Sequence, residues 1–144
     1  MKEIFLDTNV VLDYLTKREP FAKPALALFS LAESNHFKIN ISAISHTTIY
    51  YILRKVNSHQ EIIENLTVLS DLCCVLPVDK MVLDQAMRSG FMDFEDAVQY
   101  YSALQNPICD VVITRNVKDF RSAKIAVMTP DEFLKVKNNY IANK

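Results

Sequence analysis

Five short runs of β-branched and other apolar residues, at 4–6, 39–41, 74–76, 111–113 and 125–127, alternate with stretches of helical spacing. Phe21, Ala25, Leu28, Phe29 and Ala32 share one helical face, as do Ile44, Thr48, Tyr51 and Ile52, and Ile62, Leu66 and Leu69. Val82, Leu83 and Ala86 make a shorter helix, and Phe94, Ala97, Val98, Tyr101 and Leu104 repeat the pattern most cleanly. Strands separated by helices cannot pair through tight hairpins, so the alternation predicts a parallel sheet covered on both faces. With 144 residues, half of them apolar, and no Pro/Ser-rich linker or repeat, the expectation is one α/β domain spanning 1–144.

Composition then removes functions. Gly90 is the one glycine, so neither a glycine-rich phosphate loop nor a dinucleotide fingerprint can be built. No G-x-S-x-G elbow is present, and His36, His46 and His59 lack the spacing of a metal site or a triad, which makes them surface or helix-flank residues. Cys73, Cys74 and Cys109 are odd in number, outside any ligand spacing, and read as core filling in a reducing compartment. No run reaches the ~18 apolar residues of a membrane span, and Met1-Lys2-Glu3 with four apolar residues behind it is no secretory signal, so a cytoplasmic location is expected. A formal charge of −1 gives no global attraction for nucleic acid; polyanion binding would rest on a local basic patch or on metal ions.

What remains is acidic. Asp7 ends the first strand, Asp93 and Asp96 bracket the start of the helix in "DFEDAVQYYSAL", and Asp119 follows the fourth strand in "VVITRNVKDF". Each has a plain local reading. Asp7, Thr8 and Asn9 are N-cap types, Asp93 with Asp96 resembles a capping pair, and Asn116 and Asp119 suit a turn. Capping, however, does not require convergence, whereas a central pairing of strands one and four brings Asp7 and Asp119 to one edge, where parallel sheets build their sites. Three ionised carboxylates within ~5 Å repel by roughly 3 kcal/mol per pair at an effective dielectric constant near 20. A hard divalent cation offsets that repulsion, and Mg²⁺ or Mn²⁺ suits a site of carboxylates, amides and hydroxyls. Such a site fits metal-assisted phosphodiester hydrolysis.

These stretches resemble the PIN-domain proteins, the family of VapC-type toxins and related bacterial ribonucleases. "FLDTNVVLDYL" is similar to the family's opening strand and helix, "ISAISHTTIYYILRK" to its second strand and following helix, "DFEDAVQYYSAL" to its acidic helix, and "VVITRNVKDF" to its closing signature. The resemblance implies a three-layer α/β/α sandwich around a five-stranded parallel sheet, and Mg²⁺- or Mn²⁺-dependent cleavage of RNA. It places Asp7, Asp96 and Asp119 as catalytic and metal-binding acids, with Asp93 one turn before Asp96 as a further ligand. Thr8 and Asn9 near the first acid, and Thr114 and Asn116 in the closing signature, line the pocket. Arg115 and Lys118 flank it and are expected to hold phosphates. Lys17, Arg18, Arg54, Lys55 and Arg121 read as solvated ends, and Phe94, Tyr50 and Tyr51 as core. A homodimer and an antitoxin partner are implied by resemblance alone.

One position departs from the family. Its glutamate after the second strand, in a pattern like I-S-x-x-T-x-x-E, falls here on Thr48 in the register Ile41, Ser42, Ser45. A hydroxyl does not replace the charge; Asp93 or Glu95 is left to supply it, and a subgroup of bacterial PIN proteins shares the departure. Two other readings follow: an inert PIN fold that binds RNA or protein, and a haloacid-dehalogenase-like phosphatase with Asp7 as nucleophile. The latter wants a second acid where Asn9 stands.

Overall fold

The computed structural model describes residues 2–140. β1 (Glu3–Leu6), β2 (Lys38–Ser42), β3 (Cys74–Leu76), β4 (Cys109–Ile113) and β5 (Ala126–Met128) form one sheet in the order β3-β2-β1-β4-β5, every pair parallel. The helices between them are α1 (Thr8–Thr16), α2 (Ala22–Glu33), α3 (Ala43–Leu53), α4 (His59–Leu72), α5 (Lys80–Met87), α6 (Phe94–Ala103) and α7 (Pro130–Val136). The sequence expectation of a five-stranded parallel sandwich with strands one and four adjacent is met.

Strand alternation sorts the side chains into two layers. Ile4, Leu6, Ile39, Ile41, Val111 and Ile113 enter a core with Val10 and Val11 of α1, Leu28 and Phe29 of α2, Ile49 of α3, Ile62 of α4 and Phe133 of α7. Phe5, Leu76 and Val112 face the other way, against Tyr100 and Ala103 of α6 and against Phe120. Cys109 joins this second layer although it lies three residues from Val112, because the β1–β4 register shifts between Glu3 and Phe5 and absorbs one extra residue. Beyond the strand ends the same parity points Asp7 and Thr114 toward α6, and Arg115 toward α1 and α2.

Two helical faces differ from expectation. On α3 the buried residues are Ser45, Ile49 and Leu53, while Tyr51 and Ile52 are exposed. Apolar residues spread around the whole of α3 give it no clear orientation, and the sheet selects the face that carries the small Ser45. On α6, Phe94 and Leu104 at the two ends are exposed, and the inward face takes Gln99, Tyr100 and Ser102. Cys109 is buried as expected, but Cys74 is exposed on the edge strand β3. No helix among the described residues is long and apolar enough to cross a membrane.

Candidate active site

Asp7 stands at the point where β1 turns into α1, its N–H donating to the Ile113 carbonyl at 2.9 Å and prolonging the central β1–β4 ladder. It occupies the N-cap position without a side-chain capping bond to α1. Instead, Oδ1 accepts from Gln99 Nε2 at 2.9 Å and Oδ2 from the Thr114 hydroxyl at 2.8 Å. The side chain is 2% exposed. Burial pushes its carboxyl above the ordinary range, with the bonds from Thr114 and Gln99 pulling back and the amides of Thr8 and Asn9 adding to that pull. No cation takes part.

Gln99, fully buried on α6, is the organiser that sequence reasoning missed. Besides donating to Asp7, its Oε1 accepts from Thr8 N at 3.0 Å and from the Thr8 hydroxyl at 3.1 Å. Thr8 Oγ1 also lies 2.7 Å from Ser45 Oγ, which ties α1 to α3 beneath the acids. The signal available was a polar residue one turn after Asp96, on the same side of the helix as that acid.

Asp96 is half-buried in the first turn of α6. The Asp93 side chain caps that helix, Oδ1 accepting from Asp96 N at 3.0 Å, so the local reading of Asp93 holds whatever else it does. Burial first, and then the charges of Asp7, Asp93, Asp119 and Glu95, push the Asp96 carboxyl up to about 7. Asp96 is therefore the point at which the four other acids are felt together. Asp119 lies exposed in a 3-10 turn, Val117–Phe120, that follows Asn116. A cleft of about 240 Å³ separates this turn from the 90–93 loop and is lined by Asp93, Asp119, Lys118 and Arg121 among others.

Glu95 answers the question raised by Thr48. Its carboxyl is raised by burial and by Asp7 and Asp93, while the hydroxyls of Thr48 and Thr8 act on it in the opposite direction. A carboxylate carried on α6 thus faces the α3 position that lacks one, while the neighbouring Thr47 hydroxyl donates to the Ile44 carbonyl at 2.9 Å. Asn9 is half-buried beside Asp7, and Asn116 is exposed, its N–H donating to Thr114 Oγ1 at 3.0 Å.

Arg115 has a different neighbourhood from the acids. Its Nε lies 2.8 Å from Asp13 Oδ2 as an ion pair lacking hydrogen-bond alignment, NH2 donates to Asp13 Oδ1 at 3.4 Å, and the guanidinium lies 4.0 Å from the Phe21 ring centroid. Its cleft, about 270 Å³, is lined by Asp13, Pro20, Pro24, Thr129 and Asp131 and by none of Asp7, Asp93, Glu95, Asp96 or Asp119. The cause is strand parity: Thr114 takes the α6 side and its successor the other. Lys118 remains beside the acids.

The donor set fits a hard divalent cation, since Asp7, Glu95, Asp96 and Asp119 offer only oxygen and repel one another without one. Among the described residues no three His, Cys, Asp or Glu side chains form a ready metal cage, so the carboxylates are gathered without being closed around one point.

Residues 3–118 match the PIN domain family model. The chain belongs to the PIN domain family. A curated PIN relative, ribonuclease VapC1 of Aquifex aeolicus, is 26% identical over 137 residues, covering 92% of this chain and 93% of that protein. Among solved structures, VapBC-1 from nontypeable Haemophilus influenzae superposes with a TM-score of 0.65 at 18% identity, covering 90% of this chain and 98% of that one. VapC20 of Mycobacterium tuberculosis, a toxin that cleaves the sarcin-ricin loop, gives 0.62 at 15%, with 85% and 98% covered. This PIN chain therefore shares its fold with VapC toxins over nearly its whole length.

Proposed function

We propose that the chain is a divalent-metal-dependent endoribonuclease, the toxin of a toxin–antitoxin pair, with Asp7, Asp96 and Asp119 as its catalytic acids. The observation that carries this reading is the electrostatics at Asp96. Four other carboxylates bear on one half-buried acid, while the ion pairs among the described residues, Lys80–Asp84 and Arg115–Asp13, involve none of the five. A fold that assembles these like charges and, among the described residues, engages none of them in an ion pair is arranged for an external cation.

Asp7, Asp96, Asp119 and Glu95 would hold Mg²⁺ or Mn²⁺, with Asp93 contributing from the helix cap. When bound, the ion supplies charge neutralisation at the scissile phosphate and activates water for attack on phosphorus. Gln99 and Thr114 fix both Asp7 oxygens, so the first acid keeps one orientation as substrate arrives. Both bonds also count against Asp7 as a phosphatase nucleophile. Lys118 lines the cleft next to Asp119 and is suited to a substrate phosphate. Exposed Phe94 and Met92 lie close in sequence to the acids and offer apolar surface to unstacked bases.

RNA as substrate is supported by the ribonuclease name of the curated relative, and an antitoxin partner by the VapBC assemblies among structural neighbours. A homodimer is part of the same reading. The inert-module alternative is motivated by Thr48, and Glu95 facing that position weakens it. The test is cleavage of single-stranded or loop RNA by purified protein in Mg²⁺ or Mn²⁺. Activity should stop in chelator and on Asp96→Asn; cleavage that survives both refutes the proposal.

A further inference from the structure

Asp13, on α1, is 1% exposed and lies outside the acid cluster, and its carboxylate is engaged by Arg115. We infer that Asp13 and Arg115 are positioning residues: their ion pair, stacked on Phe21, clamps the 114–116 segment so that the Thr114 hydroxyl is held on Asp7. This rests on the nuclease reading above for its functional consequence, but not for its geometry.

The geometry is a short covalent and hydrogen-bonded chain. Arg115 is fixed from two directions, by Asp13 on α1 and by the Phe21 ring just before α2. One peptide earlier, Thr114 is fully buried, its N–H donates to the Met128 carbonyl at 2.9 Å, and its hydroxyl donates to Asp7 Oδ2 at 2.8 Å. One peptide later, Asn116 N–H donates back to Thr114 Oγ1 at 3.0 Å, with backbone angles of −113° and 69° that belong to neither helix nor strand. Only Val117 and Lys118 then remain before Asp119.

An irregular segment carries no ladder of its own beyond Thr114, so its conformation must be set by side chains. Asp7 and Asp13 are both on the β1–α1 unit, and Thr114 and Arg115 are consecutive residues pointing to opposite sides of the sheet. The two contacts therefore grip the strand end from both faces. Sliding or rotating this segment breaks the Asp7 bond and the Asp13 pair together. An arginine suits this task better than a lysine, because its planar fork both pairs with a carboxylate and stacks on a ring.

The experiment replaces the pair by apolar residues of similar volume, Asp13→Leu with Arg115→Met, since such exchanges of a buried ion pair are commonly tolerated by the fold. Hydrogen exchange at the Asn116 amide, read without metal or RNA, should accelerate about tenfold or more, the direct sign of a released segment. With RNA and Mn²⁺, kcat should fall about tenfold or more with little change in KM, in the range typical of lost supporting residues. Arg115→Lys keeps the charge and should give a partial effect in both readouts; it also decides the matter if the double variant does not fold. Unchanged Asn116 exchange and unchanged kcat in a folded variant overturn the clamp. If the parent protein shows no metal-dependent cleavage, the nuclease reading fails, and exchange at Asn116 still decides the clamp.

Discussion

Two aspartates six residues apart, Asp7 and Asp13, both have almost no exposed surface and face opposite sides of the same sheet edge, Asp13 at the wall of a cleft and Asp7 deeper in. Burial pushes both carboxyls above the ordinary range. At Asp13 the Arg115 guanidinium, helped by Arg18, pulls back; at Asp7 only neutral donors do so, Thr114 and Gln99 ahead of the amides of Thr8 and Asn9, and further acids stand beyond it. The chain can therefore provide a cation for a buried carboxylate, and it does so at Asp13 but not at Asp7. Leaving Asp7 without one distinguishes a structural acid from a site for an external ion.

The comparison can be broken most severely at Asp7. Asp7→Asn keeps the shape but removes the charge that Gln99 and Thr114 orient, and cleavage should fall by more than the about 10–100-fold that loss of a supporting group costs. Initial rates on a loop RNA check this, and a modest loss would place Asp7 outside the chemistry. Asp13→Asn should act on stability first. It leaves Arg115, whose side chain is 20% exposed, without its counter-charge, at a cost of about 3 kcal/mol measured by denaturant unfolding.

Gln99→Leu sharpens the contrast by removing a neutral organiser. The bond to Asp7 Oδ1 and the partner of Thr8 N–H are lost together, for about 1–3 kcal/mol of stability, and activity should drop further than that loss explains. Thr48→Glu carries the smallest expected effect. It adds a carboxylate opposite Glu95, so the metal-free protein should melt lower while Mn²⁺ binds up to about tenfold tighter, about 1.4 kcal/mol. Lower melting without tighter binding would mean that Glu95 already fills that role.

The strand–helix alternation, the central pairing of β1 with β4, and the delivery of Asp7 and Asp119 to one edge were all legible, because each follows from period and connectivity. What was not legible follows from the same rules applied too locally. Arg115 reads as a phosphate ligand by its neighbours in sequence, but parity turns it away from Thr114 and toward Asp13. Gln99 and Asp13 are polar residues that lie off the apolar stripes of their helices yet are buried, and their partners lie 92 and 102 residues away. The start of α7 carries a local signature in the sequence, the Thr129–Glu132 capping box with Pro130 in its first turn. On α3, too many apolar residues hid the buried face.

The central claim, that the acids around Asp96 await a divalent cation, is tested most directly by Mn²⁺ titration of the RNA-free protein across about pH 5 to 8. The folded Asp96 carboxyl is raised from the ordinary 3.8 to about 7, so its contribution to stability is fully present below about pH 4 and is lost as pH rises through 7. Without metal, the melting temperature should fall over that interval; with Mn²⁺ it should recover at the alkaline end. Mn²⁺ competes with the Asp96 proton, so affinity should climb as pH rises toward 7, with proton release on binding, and Asp96→Asn should flatten the climb. Saturable binding with this pH dependence is the predicted result; absence of binding, or an affinity indifferent to pH and to Asp96, would contradict the account.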